Sequence, residues 1–204
     1  MNMHRSALLL MAIGSVACST TERPAPPPQT AADSQAAHIR DVAASGGTVD
    51  SILPVAEMLA RFQATTSGSV DSISRGSTSI DALVSRFAVA IAKRDTAAFN
   101  AMLIDRAEFA WLYYPDSKMS KPPYEAPPGL LWDQMLSGSD EGIRKAMARF
   151  GATGLAATAV QCPTVSIEGR NRLHSDCLVS GERPFSTILE RDGRFKFLSY
   201  ANRL

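Results

Sequence analysis

Apolar residues recur first at helical spacing and later at strand spacing. Val55, Met58, Leu59 and Phe62 fall at i, i+3, i+4 and i+7, which predicts a short amphipathic helix. The Ser/Gly-rich run 65–79 reads as a loop. Thr78 and Asp81 have the spacing of a capping box, and Ile80, Leu83, Val84, Phe87 and Ile91 form the apolar stripe of the helix behind it. Asp95 is placed to end that helix and cap another, whose buried face is Ala98, Phe99, Met102 and Leu103. Asp105 and Glu108 repeat the reciprocal capping pattern ahead of Phe109, Leu112 and Tyr113. This predicts a third helix up to Pro115, with a strand over 109–114 as the competing assignment. Prolines at 115, 122, 123, 127 and 128 argue against regular structure across 115–128. Segments 130–136 and 143–150 read as two short helices broken at Ser137-Gly138-Ser139, the second closed by Gly151 as a left-handed C-cap.

From Gly154 the period changes. Segments 160–167, 173–179, 185–189 and 194–200 read as strands. Asp192-Gly193 is a strong two-residue hairpin signal and sets Ile188 opposite Phe197. Gly169-Arg170 makes the turn of the preceding pair and sets Cys162 directly opposite Cys177 on the same face. Helices first and strands last give an α+β class, with N-terminal helices packed on a curved, cone-like antiparallel sheet.

The N-terminus reads as an address rather than structure. Arg5 supplies a positive charge, and residues 7–17 form an apolar stretch of about eleven residues, roughly 16 Å of helix and too short to span a bilayer. It closes on Ser15-Val16-Ala17-Cys18, which resembles the lipobox of bacterial lipoproteins, although Ser15 stands where that family usually has Leu. The resemblance implies cleavage before Cys18 and acylation of its sulfur and new amino group. Each buried methylene of such chains contributes about 0.8 kcal/mol, so several chains hold a domain to a membrane. Ser19, not Asp, follows the cysteine, which in this family implies the outer membrane, with the protein facing the periplasm of a bacterial cell envelope. The competing reading is a secreted protein whose Cys18 is incidental. The following stretch has Pro24, Pro26, Pro27 and Pro28 and no large apolar residue through Ala37, as expected of an extended tether. The expected organisation is therefore a signal peptide over 1–17, a lipidated Cys18 with a Pro/Ala-rich tether over 18–45, a short helix and Ser/Gly-rich loop over 46–78, and an α+β domain over 79–204.

That address bears on the cysteines. An exported chain meets an oxidising compartment, and with Cys18 acylated, Cys162 and Cys177 remain as an even pair. On their predicted rung they form a hydrogen-bonded pair with Cα atoms about 5.5 Å apart, within disulfide range. A reactive or redox role lacks a C-x-x-C motif or a nearby His-Cys constellation.

Composition narrows the field further. The 204-residue chain is 45% hydrophobic and 20% charged, an ordinary globular balance. Lys and Arg total 21 against 20 Asp and Glu, so no strong field of either sign favours nucleic acid or an anionic membrane surface. Three Cys and three His are too few and too scattered for a zinc framework. G-x-S-x-G, Walker and Rossmann patterns are absent, and no cofactor is implied.

The run ALVSRFAVAIAKRDTAAFNAML followed by RAEFAWLYYP, with the closing LERDGRFKFLSYANRL, resembles nuclear-transport-factor-2-like (SnoaL-like) domains over 79–204. Members of that superfamily include isomerases, dehydratases and cyclases as well as non-catalytic binding domains, and exposed sheet faces in it often form homodimers. The resemblance thus leaves function open. In an enzyme the acid/base candidates are Asp105, Glu108, Tyr113, Tyr114 and His174, with no metal. Capping accounts equally for Asp105 and Glu108, and His174 beside Arg172 and Asp176 reads as a solvated strand face. Trp111, Tyr113 and Trp132 either line a site for a small apolar ligand or belong to the core. The 118–128 loop reads as either a lid or a partner-docking segment. The expected role is a lipid-anchored envelope protein that binds a small apolar ligand or an envelope partner without catalysis. The alternative is an isomerase or dehydratase.

Overall fold

The computed structural model describes residues 31–45 and 53–201; the predicted signal peptide and Cys18 lie outside the described residues. The chain divides into two units, 1–51 and 52–204. In the first, α1 (Ala31–Ala44) is helical, and none of its described side chains is buried. The helix falls within the 18–45 stretch read as a tether: the prolines end at Pro28, and the Ala-rich sequence beyond has high helix propensity.

The second unit opens with α2 (Val55–Ala64), α3 (Ile80–Lys93) and α4 (Thr96–Met102), on the stripes read from sequence. Ser79, not Thr78, caps α3: its hydroxyl accepts from the Ala82 N–H. Asp95 caps α4 in the same way. Asp105 and Glu108 form the expected capping box of α5 (Arg106–Glu108). The chain then widens into a π-helical turn over Phe109–Tyr113, where the Tyr114 N–H donates to the Phe109 carbonyl, so the strand assignment for 109–114 fails. A short 3₁₀ turn, Lys118–Ser120, interrupts the proline-rich stretch.

Residues 128–150 form one helix, α6 (Pro128–Phe150), rather than two. Ser137-Gly138-Ser139 does not break it because that segment docks on the end of the last strand. The Ser139 hydroxyl accepts from the Tyr200 N–H, and a Cβ on Gly142 would lie 1.9 Å from the Tyr200 carbonyl oxygen. Small residues permit this backbone approach. Gly151 remains right-handed, at φ −64°, instead of forming the expected left-handed cap.

The strands are β1 (Val160–Gln161), β2 (Thr164–Glu168), β3 (Asn171–Ser175), β4 (Leu178–Val179), β5 (Thr187–Arg191) and β6 (Arg194–Ser199). They form an antiparallel four-stranded sheet in the order β2-β3-β5-β6 and a two-stranded one, β1-β4. Both turns set the predicted registers: Glu168 faces Asn171, and Ile188 faces Phe197. Asp192 and Gly193 both have positive φ, as a type I′ turn requires. The β2–β3 register continues through β1–β4, where Gln161 faces Leu178 and Val160 faces Val179.

Each long predicted strand on this ladder is split in two. Pro163 lacks an N–H, and Asp176 opposite it sits at φ 56°. Between the halves Cys162 and Cys177 form the expected disulfide. Their Cα atoms are 4.0 Å apart, closer than predicted and nearer the about 4.5 Å of a non-hydrogen-bonded pair, because the ladder is interrupted at this rung.

Apolar side chains cover both faces of the main sheet. One core joins Ile188 and Phe197 to Leu83, Phe87, Phe99 and Phe150; the other joins Leu173, Leu189 and Leu198 to Phe62, Phe109, Tyr114 and Trp132. The α6 helix serves both, with Trp132 on one side of its crossing and Ala146 and Phe150 on the other. The edge strand β2 leaves Val165 and Ile167 exposed.

Candidate functional site

The acidic and aromatic residues singled out from the sequence are engaged in holding the fold. Asp105 accepts from the Glu108 N–H at 2.8 Å. Glu108 is 1% exposed, and its carboxylate accepts from Lys196 Nζ at 2.8 and 3.0 Å, from the Ser74 N–H and hydroxyl, and from the Asp105 N–H. A buried ion pair thus joins α5 to the centre of β6, with both carboxylate oxygens saturated.

The Tyr114 ring is fully buried, and its hydroxyl donates to the Ala126 carbonyl at 2.6 Å, pinning the proline-rich loop. The Tyr113 hydroxyl accepts a long bond from the Ser117 hydroxyl. Burial pushes both phenols above their ordinary pKa; Glu168 adds to the effect at Tyr113 and Glu125 at Tyr114, while the Ser117 bond opposes it at Tyr113. Among the described residues neither hydroxyl bonds to Asp105 or Glu108. Trp132 packs against Phe109 within the core, and Trp111 lies at its margin with its indole N–H donating to the Thr66 hydroxyl. His174 is buried rather than solvated: its Nε2 lies 2.7 Å from a Glu190 oxygen, which also faces Arg172, and Phe195 packs nearby.

Lys196 and Arg191 are buried cations that pattern reading misses. Arg191 donates to the Leu112 carbonyl, Asn171 and Asp116, tying the sheet to the π-helical turn and to the segment after it. The signal for Lys196 is faint, since a charge between Phe195 and Phe197 alternates like a solvent-facing position, and Arg191, between Glu190 and Asp192, reads as part of a charged turn.

A cleft of about 300 Å³ opens at the end of the sheet away from the Asp192-Gly193 turn, lined by Ser175, Asp176, Arg183, Phe185, Ser186 and Thr187. Its residues come together through strand register. Thr164 faces Ser175, Ser175 faces Thr187 and Thr187 faces Ser199, so one rung crosses all four strands carrying only hydroxyl side chains. Beside that rung, Asp176 accepts from the Arg183 guanidinium at 3.1 Å and from the Thr164 hydroxyl at 3.0 Å. The Ser175 and Thr187 oxygens are 3.4 Å apart, and those of Ser186 and Thr187 are 3.1 Å apart.

Three devices shape this end of the sheet. Asp176 holds a left-handed backbone, the disulfide follows it at Cys177, and a bulge lies between Thr187 and Ile188. Bulges re-aim side chains, and left-handed non-glycine residues concentrate at functional sites. None of the cleft residues belongs to the candidates chosen from sequence. The turns at 169–170 and 192–193 give the register within each hairpin, but only the β3–β5 pairing joins the hydroxyls into one row. Among the described residues no cluster of His, Cys, Asp or Glu is arranged to hold a metal, and no helix is long and apolar enough to cross a membrane. No protein-family model matches the chain, and neither does any curated protein or solved structure.

Proposed function

We propose that the protein is a non-catalytic binding module of the bacterial cell envelope, held by acyl chains on Cys18 and built on a cone-like domain of the nuclear-transport-factor-2-like kind. The observation that carries the non-catalytic reading is the state of Glu108. General acid–base work needs a carboxyl group with an accessible oxygen near the reacting atom, and Glu108 sits at 1% exposure with its oxygens bonded to Lys196, Ser74 and Asp105. Asp105 caps a helix, and the neighbouring tyrosine hydroxyls bond to Ala126 and Ser117. The anchoring rests on the apolar leader ending at Cys18 and on the proline-rich stretch behind it. The helices-then-strands order and the antiparallel sheet are in keeping with the domain type. With Trp132 in the core and Trp111 and Tyr113 packed against it, the open cleft at the sheet end is the better place for a ligand.

Intact mass spectrometry of membrane-extracted protein tests the anchor: residues 18–204 plus glyceryl and acyl groups are expected, and an unmodified Cys18 overturns it. Native mass spectrometry of protein gently released from its own envelope tests the binding, with a retained ligand or partner expected. Turnover of that ligand would overturn the non-catalytic part.

A further inference from the structure

We infer that the cleft at the end of the sheet is a binding site for a neutral saccharide ring. Its lining combines the groups such a ring requires. Hydroxyls of Ser175, Ser186 and Thr187 both donate and accept, so they meet sugar hydroxyls in any orientation. Asp176 supplies acceptors and Arg183 supplies fixed donors at the same wall, 3.1 Å apart. The half-buried Ala201 gives the cleft a small apolar surface for the C–H side of a ring, and Phe185, 2% exposed, closes the wall behind it.

Charge and size narrow the class. Asp176 opposite Arg183 leaves the lining without net charge, so a phosphate would meet a carboxylate and an amine would meet a guanidinium. About 300 Å³ is at the small end of ligand sites and suits one ring rather than an acyl chain. The hydroxyl pairs within the cleft, at 3.4 and 3.1 Å, are longer than ordinary O–H···O bonds of about 2.7 Å and leave capacity for a ligand. The disulfide and the bulge hold the walls in place before binding, which lowers the ordering cost.

The assignment rests on the reading of the protein as a non-catalytic binder and names its ligand class. The test is saturation-transfer NMR on the full-length protein with glucose and N-acetylglucosamine as separate probes and inorganic phosphate as a competitor. Asp176→Asn removes the charge while keeping a residue that tolerates the left-handed backbone, and Thr187→Val removes a hydroxyl while keeping the branched shape. Transfer to at least one sugar is expected, with affinity falling about tenfold in Asp176→Asn, the effect of losing a charge-assisted hydrogen bond, and a smaller loss in Thr187→Val. No transfer to either sugar, loss of the sugar signal on adding an equal concentration of inorganic phosphate, or binding that both variants leave intact overturns the assignment. Chemical conversion of a bound sugar would support the site and overturn the non-catalytic reading, so the two failures are distinguishable.

Discussion

Glu108 illustrates how one residue type reads two ways until its surroundings are known. Its spacing from Asp105 announces a capping box, and that box is present. Its second oxygen-bonding partner, Lys196, comes from a strand 88 residues away and has no sequence signal beyond an interrupted aromatic pair. Removing one member of a buried pair leaves an uncompensated charge, which costs about 3–5 kcal/mol. Glu108→Gln is therefore expected to lower unfolding stability in urea by about that amount. Lys196→Met should cost less, because Ser74 and Asp105 still donate to the remaining carboxylate. The double variant should fall well short of the sum of the two, since the residues interact directly. Additive losses would show that the pair is not coupled and that Glu108 matters only as part of the cap.

At the scale of elements, helices α2 to α4 and both hairpin turns are legible because stripe, cap and turn chemistry agree. Element length is less legible, because it depends on tertiary contacts. The small residues that suggest a break in α6 are the ones that let it cross the end of β6, and Pro163 with Asp176 divides strands whose hydrophobic pattern runs on. The cleft stayed hidden for a related reason: Ser and Thr at strand ends look like ordinary edge polarity until four strands align them. Two of the three glycines of α6, Gly138 and Gly142, separate these effects. A Cβ at Gly138 would stand 3.5 Å from Ala201 Cβ, an ordinary contact, whereas one at Gly142 would strike the Tyr200 carbonyl. Gly138→Ala should raise stability by up to about 1 kcal/mol through helix propensity alone. Gly142→Ala should lower it by about 1–3 kcal/mol through overpacking, net of the same propensity gain. Thermal or urea unfolding reads both, and a stabilising Gly142→Ala would mean that α6 does not approach β6 so closely.

For the molecule as a whole, the disulfide poses a question of mechanism. Closing a loop of 15 residues stabilises by about 3 kcal/mol if its effect is to restrict the unfolded chain, and then every native segment gains alike. The β1–β4 ladder gives a reason to expect a local part as well. A two-stranded ladder is marginal by itself, and this one continues β2–β3 across the rung that Pro163 and Asp176 interrupt. Val179 in the core and the Ser180 N–H bonded to the Ala159 carbonyl also hold it, but only the disulfide bridges the interruption covalently. Reduction under native conditions, followed by hydrogen exchange, distinguishes the two contributions. Protection of the Ser180 amide should fall further than that of Ile104, whose N–H donates to the Phe197 carbonyl in the core. An equal fall at both positions would assign the whole effect to the unfolded chain, and the cleft beside Cys177 would then keep its shape without the bridge.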